Sequence, residues 1–443
     1  MVNLFTGTMT ARISLISAKL RGDRPRLQSE AERTADWATS TGAGVDAETN
    51  SAAAERLALI PGLWFVPVSI AVSESFLAIA VAARIVGFLR GKASFRAPQC
   101  LWFWLAWTAL SIAAWSYSSE PALGWGELRH MLLAGGLFLV LPVLGRRADQ
   151  QIVWKGIFIT SSVGSLFLIA EFVIRAFTYH RVISEGGEAG FYLRSGGLLH
   201  HWMVWGTVEI LVVAGLLCFW STYPEERRRW WPALAINGLA VLLSLTRMAW
   251  LTCMLMLAVD LVWRRSKWIW AIPVLPLVLY MLAPGVVRLR VTESIKPSYY
   301  SNSERVQMLK VGWRMVRDHP LLGVGPGRVE SMYTSYLLPD EPVPAYHGHL
   351  HNNAAQIAAQ FGIPVAIAAL LFVMVLFRDL LRALKTAVDR DDQFIARAAL
   401  LALGGFVFAG LFEYTYGHSL GLILLSFAVM SPLLRSQLKV TRV

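Results

Sequence analysis

Long runs of apolar residues, separated by short polar stretches, cover most of the chain. A helix needs about 20 mostly apolar residues to cross the hydrocarbon core of a bilayer. Around Pro67 the first apolar stretch fits either a tight hairpin or one long bent helix. The pattern predicts an all-α polytopic membrane protein with about twelve transmembrane helices. The predicted spans lie near residues 57–69, 71–89, 101–117, 125–145, 152–176, 197–220, 230–245, 247–263, 267–283, 354–377, 394–412 and 419–434.

Two longer polar segments interrupt this pattern. The N-terminal segment is rich in Ala, Thr, Ser, Glu and Arg, which predicts a mostly disordered cytoplasmic tail. It lacks the apolar region of a cleavable signal peptide, so the first span is expected to act as an uncleaved signal. The second is predicted to be a large, partly helical loop. The expected division is a tail at 1–55, spans one to nine at 56–283, the loop at 284–350, spans ten to twelve at 351–435, and a cytoplasmic C-terminus at 436–443.

Composition agrees with a membrane protein. Hydrophobic residues make up 56% of the 443 residues and charged residues 16%, against roughly 25% in soluble domains. The net charge of +12 does not indicate nucleic-acid binding, because the basic residues are spread between the apolar spans. Their position there favours a role in setting membrane orientation.

Basic residues gather in every second connection between spans. The connections "SSEPALG" and "YTYGHS" contain neither Lys nor Arg. Under the positive-inside rule the basic connections are cytoplasmic, both termini are cytoplasmic, and the loop at 284–350 is external. The basic connections contain Arg90, Lys92 and Arg96; Arg146 and Arg147; Arg227, Arg228 and Arg229; Arg264, Arg265 and Lys267; and Arg378, Arg382, Lys385 and Arg390.

Three arginines fall on the predicted external side, where arginine is not expected. Arg194 lies in "FYLRSGG" just before the sixth span, and Arg247 lies in the very short turn "SLTRM". One interpretation is that they extend to the membrane interface. The other is that planar, permanently charged guanidinium groups bind phosphate there. Arg305 belongs to the loop and is open to the same two interpretations.

The loop contains a helical pattern over "SNSERVQMLKVGWRMVRDHP". Apolar residues recur at helical spacing at Val306, Leu309, Trp313 and Val316. An amphipathic helix is predicted, with Ser301 or Ser303 as its cap and Pro320 at its end. The following "GVGPG" is predicted to be a turn and not a phosphate-binding P-loop, since the GKS or GKT element and the strand context are missing.

Three histidines and two asparagines form "HGHLHNN" at the end of the loop. Asn352 and Asn353 stand where the next apolar helix begins, so one of them is expected to cap it. In an extended chain the histidines would share one edge without closing around a single ion, so no metal site is expected. A structural polar cluster and a general base remain open.

Together these features resemble the O-antigen ligase and O-antigen polymerase superfamily, from about residue 57 to 435, and the lipopolysaccharide O-antigen ligases most closely. The ligase pattern is His, then Asn, Ser or Gln, nine residues, Gly, two residues, and Gly, Thr or Tyr. His351, Asn352 and Gly362 fit this pattern, and Val365 departs from it. "SLTRMAW" looks like the family's "SRGAW"-type element with Met248 in place of glycine. "ERVQMLKVGWRMVRDHPLLGVGPG" looks like its R…W…P-L-x-G-x-G stretch.

The resemblance implies an inverting glycosyltransferase in the bacterial inner membrane, with its active site on the periplasmic side. The donor would be a glycan on undecaprenyl diphosphate, and the acceptor a sugar hydroxyl of lipid A–core. No metal or other cofactor is implied. His351, or alternatively His349, would be the base, while Arg194, Arg247, Arg305 and Asn352 would bind substrate.

Two alternatives stay open at this point. An O-antigen or exopolysaccharide polymerase of the same superfamily would use a second glycan as acceptor. A transporter of polyprenyl-linked glycans would have a similar number of spans, and its ionisable residues would lie deep in the bundle. Glu209 is the clearest such residue here. A transporter has little use for a large external loop with histidines.

Overall fold

The computed structural model describes residues 50–91, 98–184, 192–283, 285–296, 299–344 and 346–440. Within these residues the protein is helical and has no β-strand. The predicted N-terminal tail up to residue 49, the basic residues Lys92 and Arg96, and the last three residues of the C-terminus lie outside the described residues.

The described residues contain sixteen α helices, joined by short 3₁₀ turns. They are α1 (Asn50–Trp64), α2 (Ile70–Leu89), α3 (Cys100–Ser116), α4 (Trp125–Val140), α5 (Arg147–Ser184), α6 (Trp202–Thr222), α7 (Arg227–Leu243), α8 (Arg247–Trp263), α9 (Leu275–Leu282), α10 (Gly285–Ser294), α11 (Tyr300–Asp318), α12 (Val329–Met332), α13 (Asn353–Phe361), α14 (Ile363–Lys385), α15 (Arg390–Ala409) and α16 (Ser419–Val440).

Six helical segments of the described chain are long and apolar enough to cross a membrane. They are α2, Pro121–Leu144 around α4, Arg147–Tyr179 within α5, α6, α14 and α15. The apolar helices at Cys100–Ser116 and Ser419–Leu434 are shorter. The architecture is therefore that of a polytopic helical membrane protein, and the count of twelve spans stays a prediction.

Several predicted spans have different boundaries in the structure, and the one at 267–283 is a 3₁₀ turn, Lys267–Ala271, followed by the short helix α9. The first apolar stretch is broken at residues 65–69, so α1 and α2 are separate helices, as in the hairpin alternative. The predicted span at 354–377 is instead two helices, α13 and α14, which meet at Gly362. Hydropathy could not reveal this break, because apolar residues continue through it.

The core of the bundle forms around α6 and α15, which are the most buried of the candidate spans. Glu209 lies in the middle of α6, and its carboxylate is 2.7 Å from the Ser161 hydroxyl of α5. Asn237 of α7 accepts hydrogen bonds from Ser161 and Ser165 and donates one to Ser162. These polar groups contact one another and join three helices, which is the usual arrangement for polar side chains inside a membrane protein.

A second, smaller core holds the loop helices together. Its buried residues include Met308, Val311 and Met315 of α11, Tyr333 and Leu350. Leu350 is packed against Gly312, where an added Cβ atom would lie 2.5 Å from a Leu350 methyl carbon. Because Leu350 lies between His349 and His351, this core fixes the backbone of the histidine segment.

The predicted amphipathic helix exists as α11, but its cap and its buried face differ from the prediction. The helix begins at Tyr300, and the preceding residue makes no side-chain cap hydrogen bond, so neither Ser301 nor Ser303 caps it. Leu309 and Trp313 are largely exposed, since the packed face is the one that carries Met308. Helical spacing identified the helix correctly, but of its four apolar positions only Val316 is packed in the small core, and Val306, Leu309 and Trp313 are exposed.

The "GVGPG" segment is a turn, and it closes the C-terminal end of α13. The backbone N–H groups of Val324 and Gly325 donate to the carbonyl oxygens of Ala359 and Gln360 at 2.8 and 3.1 Å. Such bonds satisfy carbonyl groups that have no partner within the helix itself. At the same junction Gly362 adopts a φ of +87°.

A substitution at Gly362 tests whether this junction contributes to stability. The Gly362→Ala variant would place a Cβ atom 2.3 Å from the Leu321 carbonyl oxygen, in a backbone conformation that side chains rarely adopt. We expect the free energy of unfolding to fall by about 1–3 kcal/mol. Thermal unfolding of the detergent-solubilised protein measures this loss. In the control Gly404→Ala, the added methyl group meets no atom within 4 Å, and stability should change by less than about 1 kcal/mol. Equal effects of the two variants would contradict the assignment.

Candidate active site

Five of the six predicted site residues lie around one cavity of about 480 Å³. Arg194, Arg247, Arg305, His349 and His351 all line it. The cavity is surrounded by the N-terminal ends of α6, α8 and α11, by one side of α10, and by the segments that precede α13 and α16. We call it the anion cavity, for the charge balance described below.

Arg194 is held in place by α5. The Arg175 guanidinium donates hydrogen bonds to the backbone carbonyl oxygens of Tyr192 and Arg194, at 2.9 and 2.8 Å. Glu171, which pairs with Arg175, accepts a hydrogen bond from the Gly197 backbone at 3.0 Å. Arg194 itself is buried, and its guanidinium lies 5.3 Å from the centre of the Trp202 ring. Burial and the nearby charges of other arginines lower the pKa of Arg194 to about 10, so it stays charged at neutral pH.

Arg247 is the first residue of α8 and is oriented by α11. Its guanidinium donates hydrogen bonds to the Asn302 side-chain oxygen and, at 3.1 Å, to the Ser301 hydroxyl. The Asn302 amide nitrogen donates to the backbone oxygens of Ser294 and Lys296. Both partners of Arg247 are neutral. A cation at a helix N-terminus is electrostatically unfavourable, so the position is one that a bound anion would stabilise.

Two further arginines complete the positive side of the cavity. Arg305 of α11 lies 3.9 Å from the Glu413 carboxylate. Burial lowers the pKa of Arg305, and the charge of Glu413 partly reverses this effect. Arg290 of α10 is 5% exposed and donates to the Tyr299 hydroxyl at 3.0 Å. Sequence reasoning missed Arg290, since nothing distinguished it from the other arginine of the same helix.

Positive charge exceeds negative charge around the cavity. Four arginines line it, against the two carboxylates of Glu304 and Glu413. In addition, α6, α8, α11 and α16 all begin at this cavity, with residues at or next to their first turns in its wall. The N-terminal end of a helix carries partial positive charge and free N–H groups. The arrangement therefore favours an anionic ligand.

His349, His351 and Glu413 form the other end of the cavity. The Nδ1 atom of His351 is 2.8 Å from one carboxylate oxygen of Glu413, and the Nε2 atom of His349 is 3.4 Å from the other. The His349 Nδ1 atom accepts a hydrogen bond from the His351 backbone N–H at 3.3 Å. Both ring nitrogens of His349 are thus engaged. The Nε2 atom of His351 has no hydrogen-bond partner among the described residues, which leaves it available to a ligand.

Asn352 and Asn353 align this cluster. The Asn352 side chain caps α13 by accepting a hydrogen bond from the Ala355 N–H at 2.9 Å, and it donates one to the Leu411 carbonyl. Asn353 donates through its backbone to Gly410 and through its side chain to Thr415. Each asparagine therefore ties the histidine segment to the segment that carries Glu413. The predicted cap is confirmed. Asn352 does not line the cavity, and its role in substrate binding stays a prediction.

Electrostatics keep Glu413 ionised. Burial would raise the pKa of its carboxyl, but the charge and hydrogen bond of His351 and the charges of His349 and Arg305 lower it well below its usual range. Burial lowers the pKa of His349 to about 4, with Glu413 only partly opposing the effect. At neutral pH the cluster therefore contains a carboxylate that is hydrogen-bonded to the His351 imidazole and lies 3.4 Å from the His349 imidazole.

His351 itself has an uncommon backbone conformation, with a φ of +49°. Residues other than glycine rarely adopt positive φ, and such positions often lie at functional sites. Among the described residues, His200, Leu245 and Arg265 share this property. Leu245 lines the cavity and His200 precedes the cavity-lining His201, whereas Arg265 follows the end of α8, away from the cavity lining. His347, the third histidine of the segment, does not line the cavity. It stacks near Tyr333 in the small core.

His349, His351 and Glu413 offer three ligand atoms within 4.8 Å of one another, which is close enough to hold a metal ion. The surroundings do not suit a cation, because Arg305 approaches the same carboxylate and three more arginines line the cavity. The two imidazoles and the carboxylate are better explained by their contacts with one another than by a bound metal ion.

An apolar groove of about 660 Å³ lies on the other side of α11. Leu309, Trp313 and Val316 of α11 line it, whereas Arg305 and Met308 of the same helix face the anion cavity. Helices α3, α4, α13, α14, α15 and α16 form its remaining walls. Many of its side chains are exposed, as expected for a surface that contacts lipid chains.

Comparison with known proteins gives one family match. Residues 232–370 match the family model for O-Antigen ligase. No curated protein matches the chain. The matched segment contains Arg247, Arg290, Arg305 and the histidine segment, and it confirms the resemblance found in the sequence. Together with the helical spans it indicates a multi-pass bacterial membrane protein with a glycosyl-transfer activity of the O-antigen ligase or polymerase type.

The pH dependence of stability tests whether Glu413 is ionised in the folded protein. Because its pKa is lowered in the folded state, its stabilising effect is complete above the unfolded value of 4.5 and is lost as the pH falls below it. In Glu413→Gln we expect a lower melting temperature at neutral pH, by several degrees. The difference from the unchanged protein should shrink below pH 4.5 in thermal unfolding. A difference that stays constant from pH 7 to pH 3 would show that Glu413 is not held as a carboxylate.

Proposed function

Because the family match supports membership of the O-antigen ligase and polymerase superfamily, we propose that the protein is an O-antigen ligase. It transfers a glycan from undecaprenyl diphosphate to a hydroxyl group of lipid A–core, with inversion, at the periplasmic face of the inner membrane. One observation carries this proposal: a carboxylate-bound histidine and a group of arginines line the same cavity.

The reaction has one bond-forming and one bond-breaking event at the anomeric carbon. The acceptor oxygen forms a bond to this carbon while the bond to the diphosphate oxygen breaks. The bonding electron pair leaves with the lipid diphosphate, and the acceptor proton passes to the base. Negative charge grows on the leaving group, so fixed positive charge at that point lowers the barrier. Arg194, Arg247 and Arg305 are the candidates for this role.

His351 is the better candidate for the base. Its Nδ1 atom faces Glu413 and its Nε2 atom has no partner among the described residues, so the Nε2 lone pair can take the acceptor proton. Glu413 would then stabilise the imidazolium that forms. In His349 the corresponding atoms already bind Glu413 and the His351 backbone. We therefore assign His349 and Glu413 as positioning residues.

The apolar groove supports a lipid-linked substrate. It borders the histidine end of the site, where Asn353, Gly410 and Tyr416 lie in its wall. A lipid that occupies the groove would keep its chains at the level of the apolar helices, with its polar head at the end beside the histidine segment. No cofactor enters the proposed reaction.

His351→Ala tests the base. We expect transfer to fall by about 10²–10⁴-fold, the usual contribution of a general base, while the protein remains folded in the membrane. The measurement is a lipopolysaccharide gel from a strain in which the chromosomal gene is deleted and replaced by the variant. Loss of the ladder with accumulation of lipid-linked polymer indicates a ligase. A core that carries a single repeat unit would show a polymerase instead.

The control is His347→Ala. It removes an imidazole from the same segment, four residues away, but one that stacks on Tyr333 outside the cavity. It should leave a normal ladder. A normal ladder with His351→Ala would refute the assignment of the base, and a lost ladder with both variants would indicate a folding defect in this segment.

Arg247→Ala tests the charge at the leaving group. We expect a loss of about 10²-fold or more in the transfer rate of the purified protein in liposomes. Arg247→Lys should restore only part of the activity, because lysine cannot donate two parallel hydrogen bonds. Arg317→Ala, an exposed arginine of α11, is the control. Full activity in Arg247→Lys would show that a point charge is sufficient, and full activity in Arg247→Ala would remove this residue from the site.

A further inference from the structure

Glu209 is a titratable residue in the interior of the helical bundle that the proposed reaction does not use. It lies in the middle of α6, the most buried of the candidate spans, and its side chain is 1% exposed. One carboxyl oxygen, Oε2, is 2.7 Å from the Ser161 hydroxyl of α5. The other, Oε1, is buried and has no hydrogen-bond partner among the described residues.

No positive charge balances this carboxyl group. Burial and the Ser161 hydroxyl are the influences on its charge, and no ion pair with a described Lys, Arg or His side chain contributes. The Cys253 thiol of α8 is close enough to interact with Glu209, but an ordinary thiol is uncharged at neutral pH. An isolated carboxylate in an apolar interior is so unfavourable that the group takes up a proton instead.

The orientation of Asn237 fixes the direction of the neighbouring hydrogen bonds. Its amide nitrogen donates to the Ala233 carbonyl oxygen at 2.7 Å and to the Ser162 hydroxyl at 3.0 Å. Turning the amide over would place its oxygen against the Ala233 oxygen, and two acceptors cannot form a hydrogen bond. The Asn237 oxygen therefore faces Ser161 and Ser165, whose hydroxyl groups donate to it at 3.0 and 2.8 Å.

The Ser161 hydroxyl has one hydrogen atom and two oxygen neighbours. Because it donates to the Asn237 oxygen, the Glu209 oxygen at 2.7 Å must itself be the donor, and only a protonated carboxyl group can donate. If Glu209 were a carboxylate, two oxygen atoms with no hydrogen between them would remain in close contact on one side of Ser161. Protonation of Glu209 thus completes a chain of hydrogen bonds from α6 through α5 to α7.

We propose that Glu209 is a proton-binding site within the membrane-spanning bundle, a neutral carboxylic acid at physiological pH that donates its hydrogen to Ser161. The bound proton joins α5, α6 and α7, because its loss would leave Ser161 with two acceptors and a single hydrogen. This inference goes beyond the proposed function and does not depend on it, since Glu209 lies outside the lining of the anion cavity.

Infrared spectroscopy of the full chain in liposomes at neutral pH tests the protonation state. The spectrum of the unchanged protein minus that of Glu209→Gln should contain the carbonyl band of one protonated carboxylic acid. Glutamine keeps the shape of the side chain and can donate to Ser161. The reference is Glu341→Gln, because Glu341 accepts two hydrogen bonds from the Arg314 guanidinium and should give the two bands of a carboxylate. Carboxylate bands in the Glu209→Gln difference would overturn the proposal.

Two serine variants of α5 keep the test decisive if Glu209→Gln fails to fold. Ser161→Ala removes the acceptor, so the carboxylic acid band should shift to higher frequency without losing intensity. Ser165→Ala is the matched control, since that hydroxyl lies one turn further along and bonds to Asn237 rather than to Glu209. It should leave the band in place. No shift in Ser161→Ala, or equal shifts in both variants, would refute the hydrogen bond from Glu209.

The pH dependence of stability gives a second measurement. A group that is protonated in the folded protein and ionised in the unfolded chain takes up one proton on folding, so stability falls as the pH rises. From about pH 6 to about pH 8, the unfolding equilibrium constant of the unchanged protein should rise about tenfold per pH unit relative to that of Glu209→Gln. A constant ratio over this range would show that Glu209 has the same charge in both states, and the proton-binding site would then be rejected.

Discussion

The site depends on an excess of positive charge that the carboxylates of the protein do not neutralise. Four guanidinium groups and the N-terminal ends of four helices surround one cavity, which has two carboxylates in its wall. Inside a protein such charges are screened weakly, so they act on one another strongly. The fold maintains this arrangement through neutral partners such as Asn302 and Ser301. An anion that enters the cavity completes the charge balance.

Glu413 divides the cavity into two chemical regions. Its carboxylate is hydrogen-bonded to His351, lies 3.4 Å from the Nε2 atom of His349 and is 3.9 Å from the Arg305 guanidinium. Asn352 and Asn353 fix the separation between the histidine segment and the Glu413 segment through their own hydrogen bonds. One region is therefore suited to accept a proton and the other to hold negative charge. Transfer of a group from a phosphate ester to a hydroxyl needs both a proton acceptor and a region that holds negative charge.

The sequence predicted those parts of the site that break a local pattern. Arg194 and Arg247 stood out because arginine is unusual on the predicted external side, and the histidines stood out as a polar cluster before an apolar helix. Glu413 could not be recognised in this way. It follows His351 by 62 residues and lies at the end of an apolar run, where a carboxylate is unremarkable. Arg290 had a basic neighbour on its own helix and no distinguishing motif.

The apolar pattern predicted that the chain forms helices, but it was less successful in predicting where each helix ends. Apolar runs reveal a helix because burial in lipid requires them, but a run does not show where the chain turns. The break at Gly362 depends on a backbone conformation and on a contact with Leu321, a residue from another segment. The packed face of α11 likewise depends on which neighbours it meets. Tertiary contacts of this kind decide between faces that have similar hydrophobicity.

Helix α11 contributes to both sides of the site, and this double role has a practical meaning for work on the isolated protein. Arg305 on one face lines the anion cavity, while Leu309 and Trp313 on the other face line the apolar groove. A molecule whose alkyl chain enters the groove contacts the same helix that carries the Arg305 guanidinium. Detergent is such a molecule, and we therefore expect the choice of amphiphile used for purification to influence affinity for anions.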